Sequence, residues 1–253
     1  MARKIDSASN PRIKKVVRLL RSSSDTDWII EGKKLFLEAI SSGVIFEELF
    51  VTESQLPLVA GFVKFPVTVV PEKLLKKIST VQTPQGILGI ARRPAKKRPS
   101  IPTGFAALLF SIRDPGNVGT MIRAAEATSC DWIATTADCA DPYQSKAIRA
   151  SMGSIFRVPP IEVTDAKQFL TELSSQGVTT YGLSPHSGSN LFETAPRFPA
   201  VIVIGSESAG LPSDLPVQEE LRIPMQGKVE SLNAAMAATV CFYHFAQLSH
   251  QKR

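Results

Sequence analysis

The chain has 253 residues, 43% of them hydrophobic and 21% charged, with 15 Gly and 18 Pro. Such a chain buries a real core; the balance excludes a collagen, a disordered polymer and a small disulfide scaffold. No apolar run approaches the roughly 20 residues that span a bilayer, so no membrane partner is expected. The opening Met1-Ala-Arg-Lys-Ile-Asp-Ser7 lacks the apolar stretch of a secretory signal. Cys130, Cys139 and Cys241 lie far apart without a CxxC pair, so neither a metal site nor a disulfide framework is expected. The expectation is a soluble, cytoplasmic protein.

The net charge of +6 hides an asymmetry. Residues 1–99 hold 18 Lys and Arg against nine Asp and Glu, whereas residues 100–253 hold 11 against 14. A basic half suggests a polyanion partner, and a merely solvated basic surface is the alternative.

Asn10 and Pro11 suit the cap and first residue of a helix running through Leu20, with Ile13, Val16, Val17 and Leu20 on one face. Arg12, Lys14, Lys15, Arg18 and Arg21 lie off that stripe. Trp28–Glu31 reads as a strand, Lys33–Ser42 as a helix, and Glu48–Val51 and Val67–Val70 as strands. Pro71–Ile78 then reads as a helix and Gly86–Ala91 as a strand, making a small α/β layer domain over residues 1–98. A linker is expected over 91–103, because five basic residues and three prolines between Ala91 and Pro102 oppose both helix and central strand.

The second domain, 104–253, carries the apolar runs of a buried parallel sheet. Expected strands are Ala106–Ile112, Trp132–Thr135, Thr179–Leu183, Ala200–Ile204 and Leu221–Ile223. Helices are expected over Val118–Thr128, Ser145–Met152, Ala166–Ser175 and Leu232–His250.

Three segments there carry possible chemistry. In Asp114–Glu126, Asn117 can cap a helix, and Gly119 leaves Arg123 a path toward the helix start, a natural phosphate seat. An ordinary capped helix with an Arg123–Glu126 surface pair is the alternative. Val203–Leu211 is neither a P-loop, lacking its Lys, nor a nucleophile elbow, lacking its first Gly. It is a Gly-bounded turn that holds Glu207 near the strand ends, where α/β proteins bind ligands. In Ile223–Thr239, Ser231 or Asn233 can cap the last helix.

In this order the segments resemble the motifs of the SpoU/TrmH family of RNA ribose 2′-O-methyltransferases, of the SPOUT class. Asn117, Gly119, Arg123 and Ala125 match the first motif. Gly205, Ser206, Glu207, Gly210 and Leu211 match the second, and Ile223 to Asn233 the third. Ser145–Arg157 is similar to an intermediate family segment, and Ala234 and Ala235 stand where bulkier residues are usual. Ser9–Lys14 and Ile30–Leu35 resemble the substrate-binding domain of rRNA-modifying members, which shares its fold with kink-turn-binding ribosomal proteins.

The resemblance implies a C-terminal SPOUT domain with a mostly parallel α/β sheet and a trefoil knot, joined to a ribosomal-protein-like RNA-binding domain. It implies S-adenosyl-L-methionine held by Leu183, Ser184, Ile204, Gly205, Gly210, Ile223, Met225, Ser231 and Leu232. It also implies a homodimer through the knotted domain, with active sites that draw on both subunits. Arg123, Asn117, Glu207, Ser231 and Asn233 are then the catalytic set, and the basic positions of the first helix the RNA handle. The obstacle is the protonated ribose hydroxyl, which must be aligned and relieved of its proton. A guanidinium gives up its proton only above about pH 12. Arg123 therefore reads best as a clamp on the neighbouring RNA phosphate, with phosphate or a neutralised guanidine as the proton acceptor. The expected substrate is ribosomal RNA, 23S in particular. The alternatives are tRNA and an idle RNA-binding or ribosome-assembly protein.

Overall fold

The period-two alternation of the first half sends successive side chains to opposite faces of one sheet. Trp28, Ile30, Leu49 and Val51 enter one buried cluster, while Ile29, Phe50, Leu88 and Ile90 enter another. The computed structural model describes residues 3–22, 24–62, 65–206 and 210–250. The first lobe runs β1 (Arg3–Lys4), α1 (Pro11–Arg21), β2 (Asp27–Glu31), α2 (Lys33–Ser41), β3 (Phe46–Val51), α3 (Leu56–Ala60), β4 (Val67–Val69), α4 (Glu72–Lys77) and β5 (Ile87–Arg92). Its sheet has the order β1-β4-β3-β5-β2, with β5 antiparallel to both neighbours. Asn10 caps α1 as its sequence suggests, accepting from the Arg12 backbone N–H at 3.0 Å.

The second lobe runs β6 (Phe105–Leu109), α5 (Pro115–Ala127), β7 (Ile133–Thr136), α6 (Ser145–Ser151), α7 (Ser154–Arg157), β8 (Ile161–Val163), α8 (Ala166–Ser175), β9 (Thr179–Leu183), β10 (Ser189–Asn190), β11 (Ala200–Ile204), β12 (Glu219–Arg222) and α9 (Ala234–His250). The sheet order is β10-β12-β9-β11-β6-β7-β8, and every pairing is parallel. A parallel sheet must be covered on both faces. Here Ala107, Leu109, Ile202 and Ile204 face the cluster under α5 and α9, and Ala106, Leu108, Val201 and Val203 face the one under α8. The chain leaves β9 for β10, crosses to β11, then returns β12 between β9 and β10. No helix among the described residues is long and apolar enough to cross a membrane.

β1, β8 and β10, of two or three residues each, escape the sequence reading because so few residues show no periodicity, whereas the equally short β4 is marked by its Val67–Val70 run. Ala91 and Arg92 complete β5, and the segment beyond is irregular and exposed from Pro94 to Arg98, yet tied down at two points. Arg93 forks onto Asp141 at 3.1 and 2.6 Å, and the Trp132 indole donates to the Ser100 carbonyl at 2.8 Å. Proline excludes regular structure there but leaves the guanidinium and carbonyl free to bind the adjacent surface.

Candidate active site

Three loops leave the carboxyl ends of β9, β11 and β12 and close round a cavity of ≈ 450 Å³. This is where an open parallel sheet offers a ligand crevice. Leu183, Ser184, Ile204, Gly205, Gly210, Ile223, Met225, Ser231 and Leu232 all line it. His186, Ser187 and Glu220, to which the sequence reading gave no individual role, also line it, as does Leu211 of the second motif. Ser187 and Glu220 carry no motif, but the Ser187 hydroxyl bonds both Glu220 and the Ser184 hydroxyl, the latter at 2.8 Å. Gly205 is required by close approach, since a Cβ there would stand 2.4 Å from the Gly210 carbonyl oxygen. The hairpin it supports closes with the Gly210 N–H on the Ser206 carbonyl at 2.9 Å. Glu207 lies outside the described residues.

At the rim, Asn233 joins two motifs that are far apart in sequence. Its Oδ1 accepts from the backbone N–H groups of Ala235 and Met236 at 3.0 and 3.3 Å, which caps α9. Its Nδ2 donates to Asn117 Oδ1 at 3.2 Å. Helix α9 therefore begins at Ala234, not Leu232, and Ser231 faces the cavity. Asn117 does not cap α5. Asp114 does, accepting from the Asn117 N–H at 3.0 Å, so the helix starts a turn earlier, at Pro115. Lys146 at 2.6 Å, with the backbone N–H donors, holds the Asp114 carboxyl below its ordinary range.

Arg123 is exposed on α5, outside the cavity lining, and its side chain forms no hydrogen bond or ion pair with another described residue. Glu126 does not pair with it. Arg157 takes Glu126 instead and holds that carboxyl low. Nor does Gly119 open a path for Arg123. A Cβ at Gly119 would come within 2.2 Å of the Ala147 carbonyl oxygen, so the missing side chain lets α6 pack directly on α5.

The five cations of α1 divide. Arg12 pairs with Glu48 at 2.7 Å, and Lys15 bridges Asp27 and Glu47 at 3.0 and 2.7 Å. These two hold α1 to the sheet, which corrects their expected place on a free basic face. The carboxylates raise the Lys15 pKa against the opposing effect of burial. Lys14, Arg18 and Arg21 are exposed and, at helical spacing, share one outer face.

The crevice, its three loops and the Asn117–Asn233 contact lie within residues 104–243, which match the profile of the SpoU rRNA methylase family. The chain belongs to the SpoU rRNA methylase family. Residues 10–89 match the MRM3-like substrate binding domain. The chain is 30% identical to the 23S rRNA (guanosine(2553)-2'-O)-methyltransferase RlmP of Bacillus subtilis, over 96% of this chain and 98% of that protein. It is 28% identical to the mitochondrial rRNA methyltransferase 3 of Xenopus tropicalis, over 92% of this chain and 73% of that one. The AdoMet-bound rRNA methyltransferase from Sinorhizobium meliloti superposes with a TM-score of 0.85 at 27% identity, covering 97% and 98% of the two chains.

Proposed function

We propose that this SpoU family member methylates a ribose 2′-OH of 23S ribosomal RNA with S-adenosyl-L-methionine as donor. The observation that carries the reading is the crevice: nine residues drawn from three separate loops meet round one space. Its volume falls within the range of small-molecule sites. Leu183, Ile204, Ile223, Met225 and Leu232 give it apolar walls, and Gly205 and Gly210, in close contact, line it without side chains. This lining fits the donor, whose adenine faces and methylene groups are apolar. When bound, the donor supplies an electrophilic methyl group on its sulfonium.

The chain's own residues then have separate tasks. Leu183, Ser184, Ile204, Gly205, Gly210, Ile223, Met225, Ser231 and Leu232 hold the donor, with Ser231 and Asn233 also facing the ribose. Asn117 and Asn233 orient the ribose from the rim, each fixed by the other. Exposed Arg123 clamps an RNA phosphate, a task suited to a fork with no ion-pair partner among the described residues. Glu207 completes the set by its motif position. Lys14, Arg18 and Arg21 grip the RNA backbone outside the site. The substrate-binding match at residues 10–89 and the near-complete alignment with RlmP support an rRNA substrate.

The return of β12 between β9 and β10 supports the trefoil knot. The groove beside α9, with Phe192 and Tyr243 more than half exposed, supports homodimerisation through this lobe. We place the enzyme in the cytosol, where its three free thiols remain reduced.

Ribose-methylation mapping of rRNA from cells with and without the gene, together with calorimetry of donor binding, tests the reading. A single lost 2′-O-methyl mark is expected. Arg123→Ala is expected to lose at least a hundred-fold in turnover while binding the donor as the parent does. No lost mark, or a variant with near-normal turnover, refutes the assignment.

A further inference from the structure

The two lobes share more than a linker. Trp28, on edge strand β2 and only 3% exposed, meets Tyr143 edge-on at 4.8 Å between centroids and Phe156 at 5.5 Å. Both aromatic partners belong to the second lobe. Arg93 lies over the Tyr143 ring, 4.5 Å from its centroid, and is itself clamped by Asp141. One continuous apolar cluster runs from Trp28, Ile30 and Phe36 to Ile148, Ile155 and the α5 core.

A charged strut lies beside this contact. The Arg157 guanidinium donates to Glu38 of α2 at 2.9 Å and to Glu126 of α5, where Nη2 is at 3.1 Å. Glu126 is three residues beyond Arg123 on the same helix. Arg149 of α6 adds a bond to the Thr80 hydroxyl at 2.8 Å. By contrast, the cluster beneath α1 and α4 contains first-lobe residues alone. The outer face of Lys14, Arg18 and Arg21 therefore points away from the lobe that carries the chemistry.

We propose that Trp28 and Arg157 are positioning residues that lock the two lobes into one rigid body, so that the span from the α1 handle to α5 selects which ribose is methylated. The inference rests on the methylation reading above. A hinged pair of domains would let the same RNA grip deliver several neighbouring riboses to Asn117 and Arg123. A rigid pair delivers one. Neither Trp28 nor Arg157 need touch RNA or donor for this. Each acts through the orientation of α5 relative to α2 and β2.

The test uses the full chain and two variants outside the catalytic set. Glu38→Arg sets a second guanidinium against Arg157, and Trp28→Ala removes the aromatic contact. Small-angle X-ray scattering reads the lobe arrangement, calorimetry reads donor affinity, and methylation mapping with steady-state kinetics reads site choice. The parent is expected to scatter as one compact body. The variants are expected to bind donor within two-fold of the parent and to scatter as mobile pairs. Their KM for rRNA is expected to rise at least ten-fold with kcat changed less than three-fold, and minor methylation is expected at neighbouring riboses. A Glu38→Arg chain that binds donor normally yet keeps a single mark and an unchanged KM overturns the proposal. A parent that methylates rRNA but tumbles as two independent bodies overturns the lock alone. A rigid parent that methylates no RNA overturns the methylation reading and supports the rigid coupling.

Discussion

Gly119→Ala tests the close packing of α5 on α6 by the sign of its effect. In an exposed helix the change is stabilising, by about 1 kcal/mol of helix propensity. At this site the added Cβ would lie 2.2 Å from the Ala147 carbonyl oxygen and 2.7 Å from the Ala150 Cβ. An ordinary C···O contact is about 3.3 Å, so α6 must retreat by about 1 Å. The obstacle is backbone, which cannot rotate aside like a side chain. Overpacking of this kind costs about 1–3 kcal/mol, and an unyielding backbone oxygen places the case at the upper end. After the propensity gain, a net loss of about 2 kcal/mol is expected. At about 2–4 °C per kcal/mol for a chain of this size, Tm falls by about 4–8 °C. Urea and thermal unfolding measure this directly. Turnover should fall as well, because α6 carries Lys146, the partner of the Asp114 cap beneath Asn117. A variant as stable as the parent, or more stable, refutes the account of Gly119 and returns it to an ordinary helix position.

Asn233→Ser retains a good cap for α9 but is too short to reach Asn117. Unfolding free energy is expected to stay within about 0.5 kcal/mol of the parent while kcat falls at least ten-fold, and unchanged kcat would remove the Asn117–Asn233 contact from the mechanism. Replacing Lys14, Arg18 and Arg21 together by Ala is expected to lower the slope of log affinity for rRNA against log salt by about 2–3. Replacing Arg12 and Lys15 should instead mainly lower stability, and the reverse pattern would invalidate the division of α1. Arg157 depresses the Glu126 pKa, so this carboxylate stabilises the fold above its unfolded pKa near 4.3. That contribution is lost as pH falls through the lower folded value. Glu126→Gln is therefore expected to narrow its stability deficit as pH falls from 6 to 3, and a deficit independent of pH would refute the role of the ion pair.

Much of the chemistry was legible in the chain order because it resides in local motifs. The turn after β11, the loop after β12 and the apolar runs of the parallel strands are each set by a few adjacent residues. Those residues choose strand, turn or cap by their own backbone preferences and apolar spacing. Helix α1 was readable for the same reason, its Asn10 cap and Pro11 start being contiguous.

Contacts between distant residues were decided only by the tertiary structure. Asn117 and Asn233 are both plausible helix caps in isolation. One caps and the other does not, because Asp114 precedes Asn117 with the right reach and Lys146 holds it. Likewise, the five cations of α1 are equivalent on a helical wheel. Glu47 and Glu48 come from β3 and Asp27 from β2, with β5 between the two strands in the sheet, and their proximity to α1 assigns two cations to the fold and leaves three outside. Gly119 carries no sequence mark of the carbonyl it meets, which belongs to a helix 28 residues later. Local preference acts within a few residues, whereas which charge meets which and which backbone touches which depend on a packing that the whole chain must form first.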